Sequence, residues 1–150
     1  MLDFIWHLRG SVPVDGMGPD ETTLDRLERL LERQRKDVSK RGANYLAFEN
    51  PFWSDMFGPN WLAMGIYDAG RLWIEQGPGG RTLRYDLRSL HGMLFCLFAA
   101  LVFFLFGLAS GGVLGSLELA SFAFAWLYGM NVLLALGRVP SEIRKTVQST

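Results

Sequence analysis

Two histidines, one cysteine and two polar residues set inside apolar runs are the side chains whose chemistry could go beyond packing: His7, His91, Cys96, Glu118 and Asn131. A nucleophile needs a base within hydrogen-bond reach. The spacing supplies no such pair, because His7 falls in the first extended segment and His91 at the edge of a long apolar run. His91 has the position of an axial ligand to a haem iron or a chlorophyll magnesium. A single interfacial histidine is not a ligand set, so no cofactor is predicted. Cys96, the one cysteine of the chain, allows neither an intramolecular disulfide nor a cysteine-based zinc site.

The motifs that carry catalysis or phosphate binding, HExxH, GxxxxGK[ST] and GxSxG, do not occur in the sequence. Gly77-Pro78-Gly79-Gly80 looks like a phosphate loop only by composition, since no helix follows it to offer an amino terminus to an anion. It reads as a turn between strands. Asp15 and Asp20 sit among turn formers, where acids are common. No catalytic, cofactor or metal residue is predicted.

The stretches around Glu118 and Asn131 define the architecture. Leu90 to Ala109 carries no formal charge over twenty residues, which at about 1.5 Å per residue makes a helix of about 30 Å, one bilayer. Leu114 to Leu136 is again long enough, with Glu118 its one acid. Ser110-Gly111-Gly112-Val113 joins the two as a tight turn. The expectation is a transmembrane hairpin within residues 89–137, with helices at about 90–109 and 114–136 and a cytoplasmic tail at 138–150. Glu118 is expected to reach the far headgroup layer, and Asn131 to hydrogen-bond across helices. Ser121, Ala125 and Gly129 recur every four residues, a small-residue stripe suited to contact with the first helix or with a second copy. Arg81, Arg84 and Arg88 precede the first span and Arg138, Arg144 and Lys145 follow the second. The positive-inside rule then places both termini in the cytoplasm.

The first 88 residues hold twelve Arg and Lys against thirteen Asp and Glu. A near-neutral domain gives no basic face for nucleic acid. The opening Met1-Leu2-Asp3-Phe4 lacks the pattern of a secretory signal, so this domain is expected to stay where it is made. Arginine outnumbers lysine twelve to three, which points to a GC-rich bacterial genome.

Within this domain Phe4 to Val14 reads as a strand. A helix is expected from about Glu21 to Arg41, capped by Asp20 or Thr22, with Leu24, Leu27, Leu31 and Val38 on one face. Its other face carries acid and base pairs four apart, Asp37 with Arg41 among them. Strands then follow at Asn44 to Glu49, Trp61 to Tyr67, Arg71 to Gln76 and Arg81 to Arg88, with a turn at Asp68-Ala69-Gly70. The predicted fold is an α+β membrane protein: a small β-α-β-β-β-β cytoplasmic domain, residues 1–88, ahead of a two-helix transmembrane hairpin.

Between the second and third of these strands lie Phe52, Trp53, Met56, Phe57 and Trp61, large apolar side chains among turn formers. They either close the core, dock at the lipid interface or meet a protein. The function expected is a non-enzymatic accessory, scaffold or anchoring protein of the bacterial inner membrane. Its partners would be membrane lipids and a membrane protein or a second copy. A lipid-surface module using the 51–61 loop and a membrane enzyme or cofactor-bearing subunit are the alternatives.

Overall fold

The protein's structure, a computed structural model, describes residues 6–14, 18–51 and 62–148, together with the backbone but not the side chains of 110 and 111. The element order is β1 (His7–Pro13), α1 (Asp20–Arg33), β2 (Val38–Arg41), β3 (Tyr45–Glu49), β4 (Ala69–Gly77) and β5 (Gly80–Arg88). Two helices follow, α2 (Leu90–Ala109) and α3 (Gly112–Gln148), each long and apolar enough to cross a membrane. The backbone breaks between them at Gly112, whose φ of 76° lies in the left-handed region that glycine tolerates.

The sheet is five-stranded and antiparallel throughout, in the order β1-β5-β4-β3-β2. From β2 to β5 it is a meander, and β1 returns to pair with β5, Leu8 opposite Leu87 and Val12 opposite Leu83. Alternation sorts the side chains onto two faces. Leu46, Phe48, Leu72, Ile74, Leu83, Tyr85 and Leu87 are buried on one. Arg9, Arg71, Trp73, Arg84 and Asp86 point to the other, where none of them is buried.

The order β-α-β-β-β-β matches the expectation, but two of its members are made by other residues. The predicted helix over 21–41 ends at Arg33. Arg35 takes a φ of 57°, and the Arg35 and Lys36 amides donate to Glu32 and Leu31 oxygens at 2.9 and 2.8 Å. This is the Schellman pattern that ends a helix, with arginine where glycine usually marks it. The chain reverses and Val38–Arg41 becomes an edge strand. Arg41 therefore meets Asp25 and Glu28 of α1, not Asp37. Neither Asp20 nor Thr22 caps α1: Pro19 holds the cap position without a side-chain bond, and the Asp20 carboxylate pairs with Arg81.

The strand expected at 61–67 is absent, because residues 63–66 form a turn that buries Met64 and, just after it, Tyr67. Asp68-Ala69-Gly70 is no hairpin turn either. Ala69 and Gly70 already lie in β4, opposite Glu49 and Phe48 of β3. A Cβ on Gly70 would sit 2.5 Å from Leu87 Cδ2 and Phe48 Cε1, so this glycine makes room for core side chains and does not turn the chain.

The largest departure is at the carboxyl end. Residues 138–148 are not a tail: α3 continues through Pro140 to Gln148. Ala135, Val139, Ile143 and Val147, spaced one helical turn apart, join Leu24, Leu27 and Leu31 of α1 and the inner face of the sheet in a single core. Proline forfeits one backbone bond and forces out the carbonyl a turn earlier, yet burial of four apolar residues on one stripe keeps the segment helical. Ile143→Ala is therefore expected to destabilise the sheet domain by about 2–5 kcal/mol, as read by chemical denaturation of the detergent-solubilised chain. A free tail would show no change.

Candidate functional site: the junction of sheet and hairpin

Where β5 runs into α2, with one residue between them, the chain must turn from a strand into a helix and still satisfy the helix's first amides. Asp68, whose side chain is 3 % exposed, does this. Its Oδ1 accepts the His91 backbone N–H at 3.1 Å. Its Oδ2 accepts from Arg88 Nε at 2.9 Å and lies 2.8 Å from Arg88 Nη2. The carboxylate thus caps α2 from the residue just before β4 and is neutralised by the last residue of β5. The backbone of Asp68 is tied as well, its amide donating to Arg88 and its carbonyl accepting from Asn50.

Ser89 completes the joint. Its amide donates to the Trp6 carbonyl at 2.7 Å, and its hydroxyl shares a buried 2.9 Å hydrogen bond with the Tyr128 hydroxyl on α3. Gly92 permits the close approach of the 63–66 turn, since a Cβ there would lie 3.2 Å from the Ile66 oxygen. Burial holds the Tyr67 phenol far above its ordinary range, with Tyr128 and Tyr85 adding to the shift. It raises Tyr85 too, although the nearby Arg144 pulls the other way. Both phenols stay neutral at physiological pH.

Along the same end of the sheet runs a band of charge. Asp86 holds His7 Nδ1 at 2.5 Å and Arg9 Nε at 2.8 Å, and Arg88 lies 3.8 Å from Glu49. His91 Nε2 is 4.0 Å from the Asp68 carboxylate. Each histidine therefore has an acid neighbour, Asp86 for His7 and Asp68 for His91, which the sequence spacing concealed. Among the described residues no group of three or more His, Cys, Asp or Glu could hold a metal ion.

The seam of the hairpin lies elsewhere than the Ser121, Ala125 and Gly129 stripe. Gly107 and Ser116 meet near its tip, where a Cβ on Gly107 would come within 2.9 Å of Ser116 Cα. Cys96, Ala100, Ala123 and Tyr128 are buried along the same pair. Ser121 and Ala125 are exposed and Gly129 half-buried, so their stripe does not form the contact between the two helices and is turned outward. Asn131 does not bond across helices either: its Nδ2 donates to the Leu127 carbonyl of its own helix at 2.7 Å. Glu118 is exposed close to the hairpin tip. Phe52, Trp53, Met56, Phe57 and Trp61 lie outside the described residues.

The outer face of the sheet is the other surface of note. Arg71 lies over both the Tyr45 and Trp73 rings, 4.9 and 5.8 Å from their centroids, a cation–π arrangement in the middle of a sheet face that no described helix covers. Comparison with protein-family models, with curated proteins and with solved structures found no match.

The joint holds α2 at a fixed angle to the sheet, and its energetics can be tested. Asp68→Ala removes the cap and strands the Arg88 guanidinium, for an expected loss of about 2–4 kcal/mol. Asp68→Asn keeps an acceptor for the His91 amide and is expected to lose about half as much. Equal losses in thermal or denaturant unfolding would show that the cap itself contributes nothing.

Proposed function

We propose that this chain is a non-enzymatic accessory or anchoring protein of the bacterial inner membrane, with both termini cytoplasmic and the Gly112 turn on the far side. The observation that carries the reading is the distribution of exposed apolar surface. Every exposed large hydrophobic among the described residues lies between Leu94 and Leu136, Phe98, Phe106, Leu114, Phe122 and Leu133 at 64 % or more. Only 17 % of the most apolar stretch of either helix is buried, the reverse of a core helix in water. Lipid is the environment that such a surface fits. The described residues of the sheet domain, by contrast, expose no large hydrophobic.

Charge supports the orientation. No Lys or Arg occurs from Leu90 to Gly137, whereas Arg84, Arg88, Arg138, Arg144 and Lys145 flank the run. The sheet face with Tyr45, Arg71 and Trp73, which no described helix covers, is the surface suited to a cytoplasmic partner, since rigid aromatics and arginine are the side chains that anchor protein contacts. The outward Ser121, Ala125 and Gly129 stripe gives the hairpin a face on which a second copy or a membrane partner can pack closely.

Alkaline carbonate extraction and purification in mild detergent test this reading together. The chain is expected to stay with the membrane pellet and to purify with a stoichiometric partner or as an oligomer, in a way that Trp73→Ala or Ala125→Leu weakens. Release by carbonate, or a strictly monomeric protein that retains nothing, would overturn it.

A further inference from the structure

Where α3 leaves its apolar run and enters the domain core, a cleft of about 480 Å³ opens between it and the end of α1. Its charged and hydroxyl lining comes from Arg138, Ser141, Glu142 and Lys145, with Gln34 and Ala63 forming the opposite wall. We propose that this cleft is a binding site for the headgroup of an anionic phospholipid, with Arg138, Ser141 and Lys145 as the donors to its phosphate. The inference rests on the reading that the hairpin spans a bilayer.

Three observations converge on the site. The first is depth. Arg138 is the second residue after Leu136, the last exposed large hydrophobic of α3, which places it about 3 Å along the axis beyond the apolar run. Ser141 follows one turn later. The headgroup layer is about 5–8 Å thick on each side of the hydrocarbon, so both residues fall within it, and the long Lys145 side chain can reach back from its outer edge.

The second is charge. Lys145 Nζ is held at 3.0 Å by Glu142 Oε1, whereas no carboxylate among the described residues pairs with Arg138. The lining therefore carries Arg138 and Lys145 against Glu142, one net positive charge beside an unpaired guanidinium. A planar guanidinium recognises phosphate oxygens in a forked geometry.

The third is rigidity. The lining of α3 alternates with the buried Val139 and Ile143, both 0 % exposed, so Arg138, Ser141 and Glu142 are presented from a helix whose rotation is fixed by the core. Gln34 is fixed from the other side, its Oε1 accepting the Met64 amide at 3.1 Å. A site held on two packed elements selects a headgroup where a mobile basic tail would only attract an anionic surface.

The test uses the full chain purified in mild detergent with an equimolar mixture of phosphatidylglycerol and phosphatidylcholine, the retained lipid being counted by native mass spectrometry. Phosphatidylglycerol is expected to be enriched about fivefold over phosphatidylcholine. Arg138→Gln should abolish most of that enrichment and Lys145→Gln part of it, while Arg9→Gln on the outer sheet face should leave it unchanged. Enrichment that survives Arg138→Gln, or that is absent from the wild-type chain, would overturn the proposal. So would displacement of the bound lipid by millimolar inorganic phosphate, because that would mark a site for a soluble anion. Release of the chain from membranes by carbonate would defeat the bilayer reading itself; retention in the membrane without lipid selectivity defeats this site alone.

Discussion

One helix carries two kinds of surface, exposed apolar side chains along most of its length and core-buried ones at its end, and the rest of the molecule is arranged around that constraint. In its first two-thirds α3 exposes Leu114, Phe122, Trp126 and Leu133, and in its last third it buries Val139, Ile143 and Val147 against the sheet and α1. The change comes within one turn of Leu136. An α-helix is stiff over such lengths, so the sheet domain cannot swing freely on the hairpin. Its orientation is set by the same rod that packs against α2.

The second connection, at Arg88 and Ser89, closes the loop. With α3 rooted in the core, a slack β5–α2 junction would leave α2 free to splay. The Asp68 cap, the Arg88 ion pair and the Ser89 bond to Tyr128 remove that slack. An ion pair with a buried carboxylate is seldom retained for net stability, because desolvation offsets much of its attraction. Here it fixes a direction, the angle at which a helix departs from a sheet. The glycines at 70 and 92 act in the same place by letting side chains and backbone approach where a Cβ would clash.

The parts of the fold governed by local pattern were legible in the sequence, and those governed by tertiary contact were not. The apolar runs, the Gly77–Gly80 turn and the alternation of β5 were all evident. The end of α1 was not, because its left-handed residue is Arg35 and the usual glycine signal is missing. Acid and base spacing across 33–41 suited a helix equally well, and only the pairing of Val38–Arg41 with β3 decides for a strand. The four-residue recurrence of Ala135, Val139, Ile143 and Val147 was a readable signal that α3 continues. It was obscured by Pro140 and by the charges at Arg138, Arg144 and Lys145. Asp68 could not have been found from spacing, since its partners Arg88 and His91 lie 20 and 23 residues away in parts of the chain that only the sheet brings together. The regular stripe at Ser121, Ala125 and Gly129 suited the first helix and a second copy equally well, and only the packing of Gly107 on Ser116 separates the two.

The central claim is that α2 and α3 cross a bilayer as a hairpin while α3 returns to the side of the sheet domain. Cysteine accessibility in sealed, oriented membrane vesicles tests it most directly, with Cys96→Ser as background. Arg35→Cys on the sheet domain and Val113→Cys at the hairpin tip would each be probed with a membrane-impermeant thiol reagent. The account predicts labelling of Arg35→Cys from the cytoplasmic side and of Val113→Cys only from the opposite side. Labelling of both positions from the same side would contradict it.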